Sequence, residues 1–323
     1  MALNQREVEQ AAQALHSVVD NIETVIIGKR SVVELVLLSL VAKGHVLIED
    51  VPGTGKTSLA SALAKSIDCG FRRMQFTPDV MPSDVTGFSV YNQKTEEFEF
   101  REGGVMSNLV LADEINRASA KTQSALLEAM EERQVTVDSV THRLEEPFMV
   151  LATQNPIEQF GTYPLPEAQL DRFLIKISVG YAQFAEEARV VKMRDSAKRA
   201  IAPVIRGADI VRLQDLATQV RVHDRVVDYI VEIVTATRNS PDISLGSSMR
   251  GSIALNALAC AYALYQGRDY VIPDDVRYLA PYVIAHRLTL SHDAKIEGRQ
   301  ATDIVNSILG SVAVPLVSAD ELG

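Results

Sequence analysis

The sequence predicts an α/β fold, in which helices flank a parallel sheet, followed by an all-helical C-terminal domain. Up to about residue 180, short apolar runs alternate with helical patterns, and the runs are continuous, as in strands covered on both faces. Beyond that point helical periodicity dominates. We therefore expect an α/β domain with inserted β-hairpins over 1–180, a helical connector over 181–204 and an all-helical domain over 205–323.

The predicted elements follow in order. Two helices open the chain, the first over 5–22 and the second, RSVVELVLLSLVAKG, more buried in its pattern. The stretches FSVYNQKTEEFEF and QVTVDSVTHRLEE alternate on both sides of a turn and predict hairpins. The expected strands of the sheet are 46–49, 72–76, 109–113, 148–153 and 173–179. The later helical patterns are FAEEARVVKMR, DIVRLQDLATQV, VVDYIVEIVTATR, SIALNALACAYALY and DDVRYLAPYVIA.

Composition limits the class of protein. The chain has 323 residues, enough for roughly two domains. A net charge of −10 disfavours non-specific binding to nucleic acid or anionic membrane. Cys69 and Cys260 have the spacing of neither a metal site nor a disulfide framework. The N-terminal stretch is not a signal peptide, and the longest apolar run is too short to span a bilayer. We therefore expect a cytoplasmic protein without membrane insertion.

The stretch DVPGTGKT lies between a predicted strand and a predicted helix. A helix that begins here points unpaired N–H groups at an anion, and Gly53 and Gly55 let the backbone curl around it. Lys56 would reach the β- and γ-phosphates of a nucleotide, and Thr57 would hold Mg²⁺. Asp50 stands where the usual phosphate-loop pattern has glycine. A strand–turn–helix that binds no nucleotide is therefore the alternative.

Polar residues also end two later strands. LVLAD ends in Asp113, followed by Glu114; an acid at such a strand end holds Mg²⁺ in P-loop enzymes, and Glu114 could act as general base on the attacking water. The alternative is a solvated acidic pair. Asn155 follows FMVLATQ, and its amide could bridge water and γ-phosphate, although Asn before Pro156 also favours a turn.

One arginine is a candidate for stabilising the transition state. Arg172 lies between a helix-like stretch and the last predicted strand. Arginine suits the charge that spreads over γ-phosphate oxygens during phosphoryl transfer. The alternative is a salt bridge with Asp171 or Glu167, since surface ion pairs are abundant.

The order of these motifs resembles that of AAA+ ATPases and, more narrowly, of the MoxR family. The motifs are IIGKR, DVPGTGKT, LADEINRA, ATQNP, EAQLDRF and GSSMRG. The stretches QFTPDVMPSDVTG, NRASAKTQSALLEAMEERQVTVD and QNPIEQFGTYPLPEAQLDRF are especially similar to that family. The resemblance covers nearly the whole chain, and in this family Asp50 is an accepted variant of the loop.

The resemblance implies a role for each motif. Lys56 and Thr57 are similar to Walker A, Asp113 and Glu114 to Walker B, and Asn155 to sensor 1. Thr57 and Asp113 are therefore the implied ligands of Mg²⁺. The residues implied to contact ATP are Ile27, Gly28, Pro52, Gly53, Thr54, Gly55, Lys56, Thr57, Ser58 and Arg250.

Two arginines have implied roles outside the loop. Arg172 is similar to the arginine finger, which serves the neighbouring subunit's nucleotide in such rings. Arg250, at the start of a lid helix, is similar to sensor 2, and the sequence does not decide whether it acts within its own subunit or on a neighbour. The catalytic set is thus Lys56, Glu114, Asn155 and Arg172.

The resemblance also implies an activity. It implies Mg²⁺-dependent ATP hydrolysis by a homo-oligomeric ring, hexameric in the family. The ring would remodel or mature a protein client, with metal-cofactor insertion as one form and a von Willebrand factor A domain protein as partner. The inserted hairpins usually face the ring pore and the client. The alternatives are a DNA-directed or chelatase-type AAA+ motor, and a nucleotide-binding scaffold that does not hydrolyse.

Overall fold

The computed structural model describes residues 3–156, 162–193 and 201–316, apart from the side chains of 190–193. The strands are β1 (Val46–Glu49), β2 (Phe71–Gln75), β3 (Gly87–Asn92), β4 (Glu97–Glu102), β5 (Leu109–Asp113), β6 (Gln134–Val137), β7 (Val140–Arg143), β8 (Met149–Gln154), β9 (Ile175–Ile177), β10 (Ile243–Leu245) and β11 (Thr289–Leu290). The helices are α1 (Gln5–Glu23), α2 (Arg30–Val41), α3 (Lys56–Ser66), α4 (Pro82–Thr86), α5 (Ala120–Glu132), α6 (Glu167–Leu170), α7 (Phe184–Met193), α8 (Gly207–Ala217), α9 (Asp224–Asn239), α10 (Met249–Tyr265), α11 (Pro273–Ile284), α12 (His292–Ile296) and α13 (Ala301–Ser311).

A five-stranded parallel sheet forms the centre of the N-terminal part, in the order β2-β5-β8-β1-β9. Every residue of β5 is buried, because helices cover both faces of the sheet. The α/β class with a helical C-terminal region is therefore confirmed. Since the strands are parallel, their carboxyl ends meet at one edge, where Gln75 lies opposite Asp113 and Glu49 opposite Gln154.

The last strand is shorter than expected. Its ladder covers Ile175–Ile177 rather than 173–179. At the far end, the N–H groups of Val179 and Gly180 do not continue the ladder, because they donate to the side chain of Asp50. The chain therefore leaves the sheet earlier than its apolar run suggests.

Two apolar clusters fill the interior. One lies on the side of the sheet that faces α1, α2 and α3 and continues into the C-terminal helices, where α1 and α2 pack against α10. The other lies on the opposite side and contains Phe76, Phe148, Phe173 and Leu126. The first cluster links the α/β part to the helical region through a shared core.

Two antiparallel hairpins project from the core, β3–β4 and β6–β7. Asp138 and Ser139 both have left-handed backbones, with φ of 48° and 67°, as the tight hairpin turn requires. The rings of Phe100 and His142 stack with centroids 3.8 Å apart, so the hairpins touch each other.

The region after residue 200 consists of α8 to α13 with one short antiparallel pair, β10–β11. The domain boundaries at 180/181 and 204/205 stay predictions, and residues 194–200 of the expected connector lie outside the described residues. None of the helices in the described part of the chain combines the length and apolar character needed to cross a membrane.

Candidate active site

The phosphate loop connects β1 to α3. Gly53 and Gly55 have φ of 87° and 89°, a left-handed conformation that favours glycine. A Cβ on either residue would meet nothing within 4 Å, so the backbone conformation, rather than space, requires glycine. Because α3 begins at Lys56, the unpaired N–H groups of its first turn lie beside the loop and favour an anion there.

The loop lysine is held by the loop itself. Lys56 Nζ donates to the carbonyl oxygens of Asp50 at 2.9 Å and Val51 at 3.2 Å. The ammonium group therefore lies across the mouth of the loop, beside the left-handed glycines. A phosphate bound at the helix terminus would compete with these two carbonyls for the lysine.

Asp50 has a structural explanation. Its side chain is only 6% exposed, and Oδ1 accepts the N–H of Val51 at 2.8 Å. Oδ2 accepts the N–H groups of Val179 at 2.9 Å and Gly180 at 2.7 Å. Three backbone donors thus satisfy this buried charge, and the carboxylate points toward β9 rather than into the loop.

One cavity of about 360 Å³ opens at the carboxyl edge of the sheet. It unites residues from the phosphate loop with the ends of β2, β5 and β8. Its lining residues are Pro52, Gly53, Gly55, Lys56, Thr57, Ser58, Arg73, Gln75, Asp113, Glu114 and Asn155. The structure therefore brings together every predicted loop residue except Thr54 with both acids and the asparagine.

Asp113 is tightly bonded inside this cavity. It is 9% exposed, and its Oδ1 accepts the hydroxyl of Thr153 at 2.6 Å. Its Oδ2 accepts Arg73 Nη2, also at 2.6 Å. Both carboxylate oxygens thus have a donor, so this carboxylate can serve a metal through a bound water while keeping its protein partners.

Glu114 is held in an unusual backbone conformation. It has φ of 58° in the left-handed region, and its N–H donates to Thr153 Oγ1 at 2.8 Å. Its Oε2 accepts Gln75 Nε2 at 2.8 Å and Arg117 Nη1 at 3.1 Å. A non-glycine residue in this region is uncommon and costs free energy, which marks a position that the surroundings must impose. The carboxylate is thereby aimed along the cavity and held by two donors.

Arg172 and Arg250 lie away from this cavity, at the boundary between the α/β part and the helical region. Arg172 Nη2 binds Glu131 Oε2 at 3.1 Å, and Arg250 Nη2 binds Glu131 Oε1 at 2.7 Å. Arg172 thus pairs with Glu131 at the end of α5, rather than with Asp171 or Glu167. Both arginines line a separate cavity of about 320 Å³.

The wall of this second cavity contains buried ionisable groups. The Arg287 side chain is 3% exposed and binds Asp171 Oδ1 at 2.8 Å. Burial lowers the pKa of Arg287, and Asp171 offsets part of that shift. His45 is also buried, with Nδ1 accepting the N–H of Val150 at 3.0 Å and Nε2 lying 3.1 Å from Met130 O. Burial lowers the pKa of His45 to about 4, so the imidazole is neutral at neutral pH.

Two of the residues that the resemblance implies as ATP contacts lie away from the loop cavity. Ile27 and Gly28 lie in the turn between α1 and α2, and neither lines the space around Lys56. Gly28 has φ of 72°, and a Cβ there would lie 1.9 Å from Glu186 Oε1. The left-handed backbone therefore favours glycine at this position, whereas the Glu186 side chain is flexible and could move aside.

Two family models match this chain, one in the α/β part and one in the helical region. A family model described as the ATPase family associated with various cellular activities (AAA) matches residues 45–175, and an AAA lid domain matches residues 235–308. The chain is 43% identical to Chaperone MoxR1 of Mycobacterium tuberculosis over 314 residues, which are 94% of this chain and 83% of that protein. The chain belongs to the MoxR family of AAA+ ATPases.

Two further relatives of this MoxR-family chain cover it almost completely. It is 56% identical to the uncharacterized protein YeaC of Bacillus subtilis over 304 residues, which are 94% of this chain and 95% of YeaC. The crystal structure of a Cytophaga hutchinsonii protein assigned as an ATPase superposes with a TM-score of 0.90 at 38% identity. That superposition covers 96% of this chain and 98% of the other.

The sequence did not reveal several partners in this MoxR-family site. Arg73 and Gln75 on β2 hold Asp113 and Glu114. Gln75 begins the family-like stretch QFTPDVMPSDVTG, but Arg73 lies in none of the quoted motifs. The two residues stand two positions apart, so they lie on one face of the predicted strand 72–76. Glu131, which binds Arg172 and Arg250, lies in the family-like stretch NRASAKTQSALLEAMEERQVTVD, which did not indicate these contacts.

Proposed function

We propose that the protein is a Mg²⁺-dependent ATPase whose subunits share each active site, and that it uses hydrolysis to remodel protein clients. The observation that carries the proposal is the cavity at the sheet edge, which combines Lys56 and Thr57 with Asp113, Glu114 and Asn155. These residues supply an anion cradle, hard oxygen ligands, a carboxylate base and an amide. Membership of an AAA+ family supports ATP as the nucleotide.

The donor set fits a nucleoside triphosphate with its metal. The left-handed Gly53 and Gly55 leave open space beside the first turn of α3, where N–H groups favour phosphate oxygens. Lys56 would exchange two carbonyls for phosphate oxygens, a stronger, charge-assisted contact. The hydroxyl of Thr57 and the carboxylate of Asp113 suit Mg²⁺, which prefers oxygen ligands and retains water. When bound, Mg²⁺ neutralises the charge on the phosphates.

Glu114 is the proposed general base. Its left-handed backbone and the donors Gln75 and Arg117 fix its carboxylate within the cavity. Asn155, 7% exposed and directly after β8, would orient the attacking water from the neighbouring strand. The base takes the proton of this water as the oxygen attacks the γ-phosphorus, and the bond from the γ-phosphorus to the β–γ bridging oxygen breaks, so that ADP leaves. General-base catalysis of this kind contributes about 10²–10⁴-fold to the rate.

Arg172 and Arg250 are proposed to act on the nucleotide of a neighbouring subunit. Neither lines the cavity around Lys56, and both converge on the single carboxylate of Glu131. A neighbour's γ-phosphate would replace that carboxylate as their anion. An arginine supplied in this way is worth about 10³–10⁵ in rate, so an isolated subunit should hydrolyse ATP slowly. This supports a homo-oligomeric ring, for which six subunits stay a family expectation.

The hairpins are proposed to contact the client. Phe98 is 74% exposed and Tyr91 50%, and their rings lie 5.3 Å apart on β3–β4. Exposed aromatic pairs are unusual on a surface without a partner. The name of the relative Chaperone MoxR1 supports client remodelling or complex maturation as the output. Three implications of the resemblance stay predictions: metal-cofactor insertion, a von Willebrand factor A domain partner, and contacts of Ile27, Gly28 and Thr54 with ATP. The cytoplasmic location expected from the composition also stays a prediction.

Phosphate release at high protein concentration tests the proposal. The wild-type protein should release phosphate from MgATP in a concentration-dependent manner, and Lys56→Ala should not. A flat trace for the wild type, with nucleotide bound, would instead support a non-hydrolysing scaffold. Strong stimulation by DNA would support a DNA-directed motor, against which the net charge of −10 argues.

A further inference from the structure

The carboxylate at the first position of the phosphate loop joins two distant parts of the chain. Asp50 directly follows β1, and its side chain is 6% exposed. Two of its three backbone donors, Val179 and Gly180, lie after β9. We call these two residues the junction, because the chain passes through them from the sheet to α7 and then to the helical region. A glycine at position 50 could not make either contact.

The main chain of the same residue contacts the loop lysine. Lys56 Nζ donates to Asp50 O at 2.9 Å. Asp50 therefore binds Lys56 through its carbonyl group and the junction through its carboxylate. A phosphate that draws Lys56 away removes a hydrogen bond from the residue that holds the junction in place.

Gly180 gives the junction a backbone conformation that other residues rarely adopt. Gly180 has φ of 66°, in the left-handed region, and a Cβ there would meet nothing within 4 Å. Glycine is thus needed for its backbone conformation rather than for close packing. Small residues of this kind often absorb the change in φ and ψ at a hinge. Lys29, directly before α2, contacts the segment after the junction, because its Nζ donates to Tyr181 O at 2.8 Å.

We propose that Asp50 is a positioning residue that couples nucleotide occupancy of the phosphate loop to the conformation of the junction. This inference rests on the proposed function, because the nucleotide is the ligand that draws Lys56 from the Asp50 carbonyl. The carboxylate then shifts with its backbone, and the N–H groups of Val179 and Gly180 shift with the carboxylate. The segment that begins at Tyr181 and leads into α7 shifts in turn.

The test compares Asp50→Gly, Asp50→Asn and the wild-type chain. Amide hydrogen exchange of the peptide that contains Val179 and Gly180 is measured with and without MgATPγS, together with nucleotide affinity, KM and kcat. In the wild type, nucleotide should change the exchange rate by about fivefold or more, the lower end of ordinary coupling. Both variants should still bind nucleotide. Asp50→Gly should lose this response, whereas Asp50→Asn should keep part of it, because its amide oxygen can still accept the N–H groups of Val179 and Gly180. The kcat of Asp50→Gly should fall by about tenfold or more while KM changes by less than about threefold, since binding is kept and a later step is impaired.

Asp275→Asn is the matched control. Asp275 is 2% exposed, and like Asp50 it is a buried carboxylate with a backbone donor, the N–H of Ile272 at 2.9 Å. It lies in α11, away from the loop, and binds Arg268. This variant should lose stability, as the Asp50 variants do, and yet retain the nucleotide response of the junction.

The outcomes separate the two proposals. A wild-type chain that binds no nucleotide would overturn the proposed function and, with it, this inference. A wild-type chain that hydrolyses ATP with no change in junction exchange would overturn the inference alone. So would a normal response in Asp50→Gly, or an equal loss of response in Asp275→Asn.

Discussion

Arg172 and Arg250 share one anion, because each binds a different oxygen of the Glu131 carboxylate, at 3.1 and 2.7 Å. One arginine follows α6 of the α/β part, and the other lies in the first turn of α10. The Glu131 carboxylate therefore binds two arginines from separate parts of the chain at one place on the surface. All three side chains are partly exposed, between 31% and 52%, so another anion can replace this carboxylate at little cost.

Stability should respond very differently to the loss of two neighbouring acids. Glu131→Ala should change the free energy of unfolding by no more than about 1 kcal/mol, because its ion pairs are exposed to solvent. Asp171→Ala should cost about 3–5 kcal/mol, because it leaves the charge of the buried Arg287 without its carboxylate. Urea unfolding of the two variants measures the difference. Equal losses would mean that the Arg287–Asp171 pair is not a buried contact in solution.

The proposed base can be removed without removing nucleotide binding. Glu114→Gln should bind MgATP as the wild type does and hydrolyse it about 10²–10⁴-fold more slowly, because the amide cannot accept the proton of the attacking water. Equilibrium binding and single-turnover phosphate release measure the two steps. Glu232→Gln, at an exposed position in α9, is the control and should be unaffected. Near-normal turnover by Glu114→Gln would remove this residue as the base.

His45 should make the protein sensitive to acid. Its pKa in the folded state is about 4, below the ordinary 6.5, because burial disfavours the charged form. The unfolded chain therefore binds more protons between these values, so stability contributed by the neutral ring is present above pH 6.5 and is lost as pH falls toward 4. The full shift corresponds to about 3 kcal/mol.

Unfolding measured across this pH range tests the role of His45. His45→Gln should be less stable at neutral pH but show a shallower loss on acidification, since glutamine has no proton to gain. His292→Gln, at an exposed residue in α12, should keep the wild-type slope. An unchanged slope in His45→Gln would assign the acid sensitivity to other groups, including the buried His286, whose pKa burial also lowers.

The aromatic pair on the β3–β4 hairpin should matter for the client and not for the fold. Phe98→Ala should change the free energy of unfolding by only about 0.5 kcal/mol, because the ring is 74% exposed. Combined with Glu114→Gln, it should release proteins that the Glu114→Gln form retains in ATP. Ile296→Ala, at a residue 71% exposed in α12, is the matched control in the same background. Equal retention by both double variants would exclude Phe98 from client binding.

Much of the site could be predicted from the sequence because its motifs are local. Lys56 ends the loop after β1, Asp113 is the last residue of β5 and Asn155 directly follows β8. Parallel strands bring their carboxyl ends to one edge of the sheet. The partners of these residues depend on which strands become neighbours. Gln75 reaches Glu114 only because β2 lies beside β5, an order that the strand patterns do not contain.

Long-range contacts of side chains could not be predicted from the sequence either. Asp50 looked like a departure from the loop pattern, and its partners Val179 and Gly180 contribute only backbone N–H groups, which leave no trace in residue identity. Likewise, the sequence did not indicate that the Glu186 side chain approaches Gly28, whose contact with ATP stays a prediction. In each case tertiary packing, rather than the local pattern, decides the contact.

Mixing two inactive variants tests the central claim, that ATP is cut between two copies of the chain. Arg172→Ala keeps its own nucleotide loop but lacks the arginine for a neighbour, and Lys56→Ala keeps that arginine but lacks a working loop. Each alone should release phosphate at the background rate. A mixture should recover a substantial fraction of wild-type turnover, greatest near equal amounts, because some interfaces then join an intact Lys56 to an intact Arg172. No recovery across all ratios, with mixed assemblies demonstrated to form, would contradict the shared site.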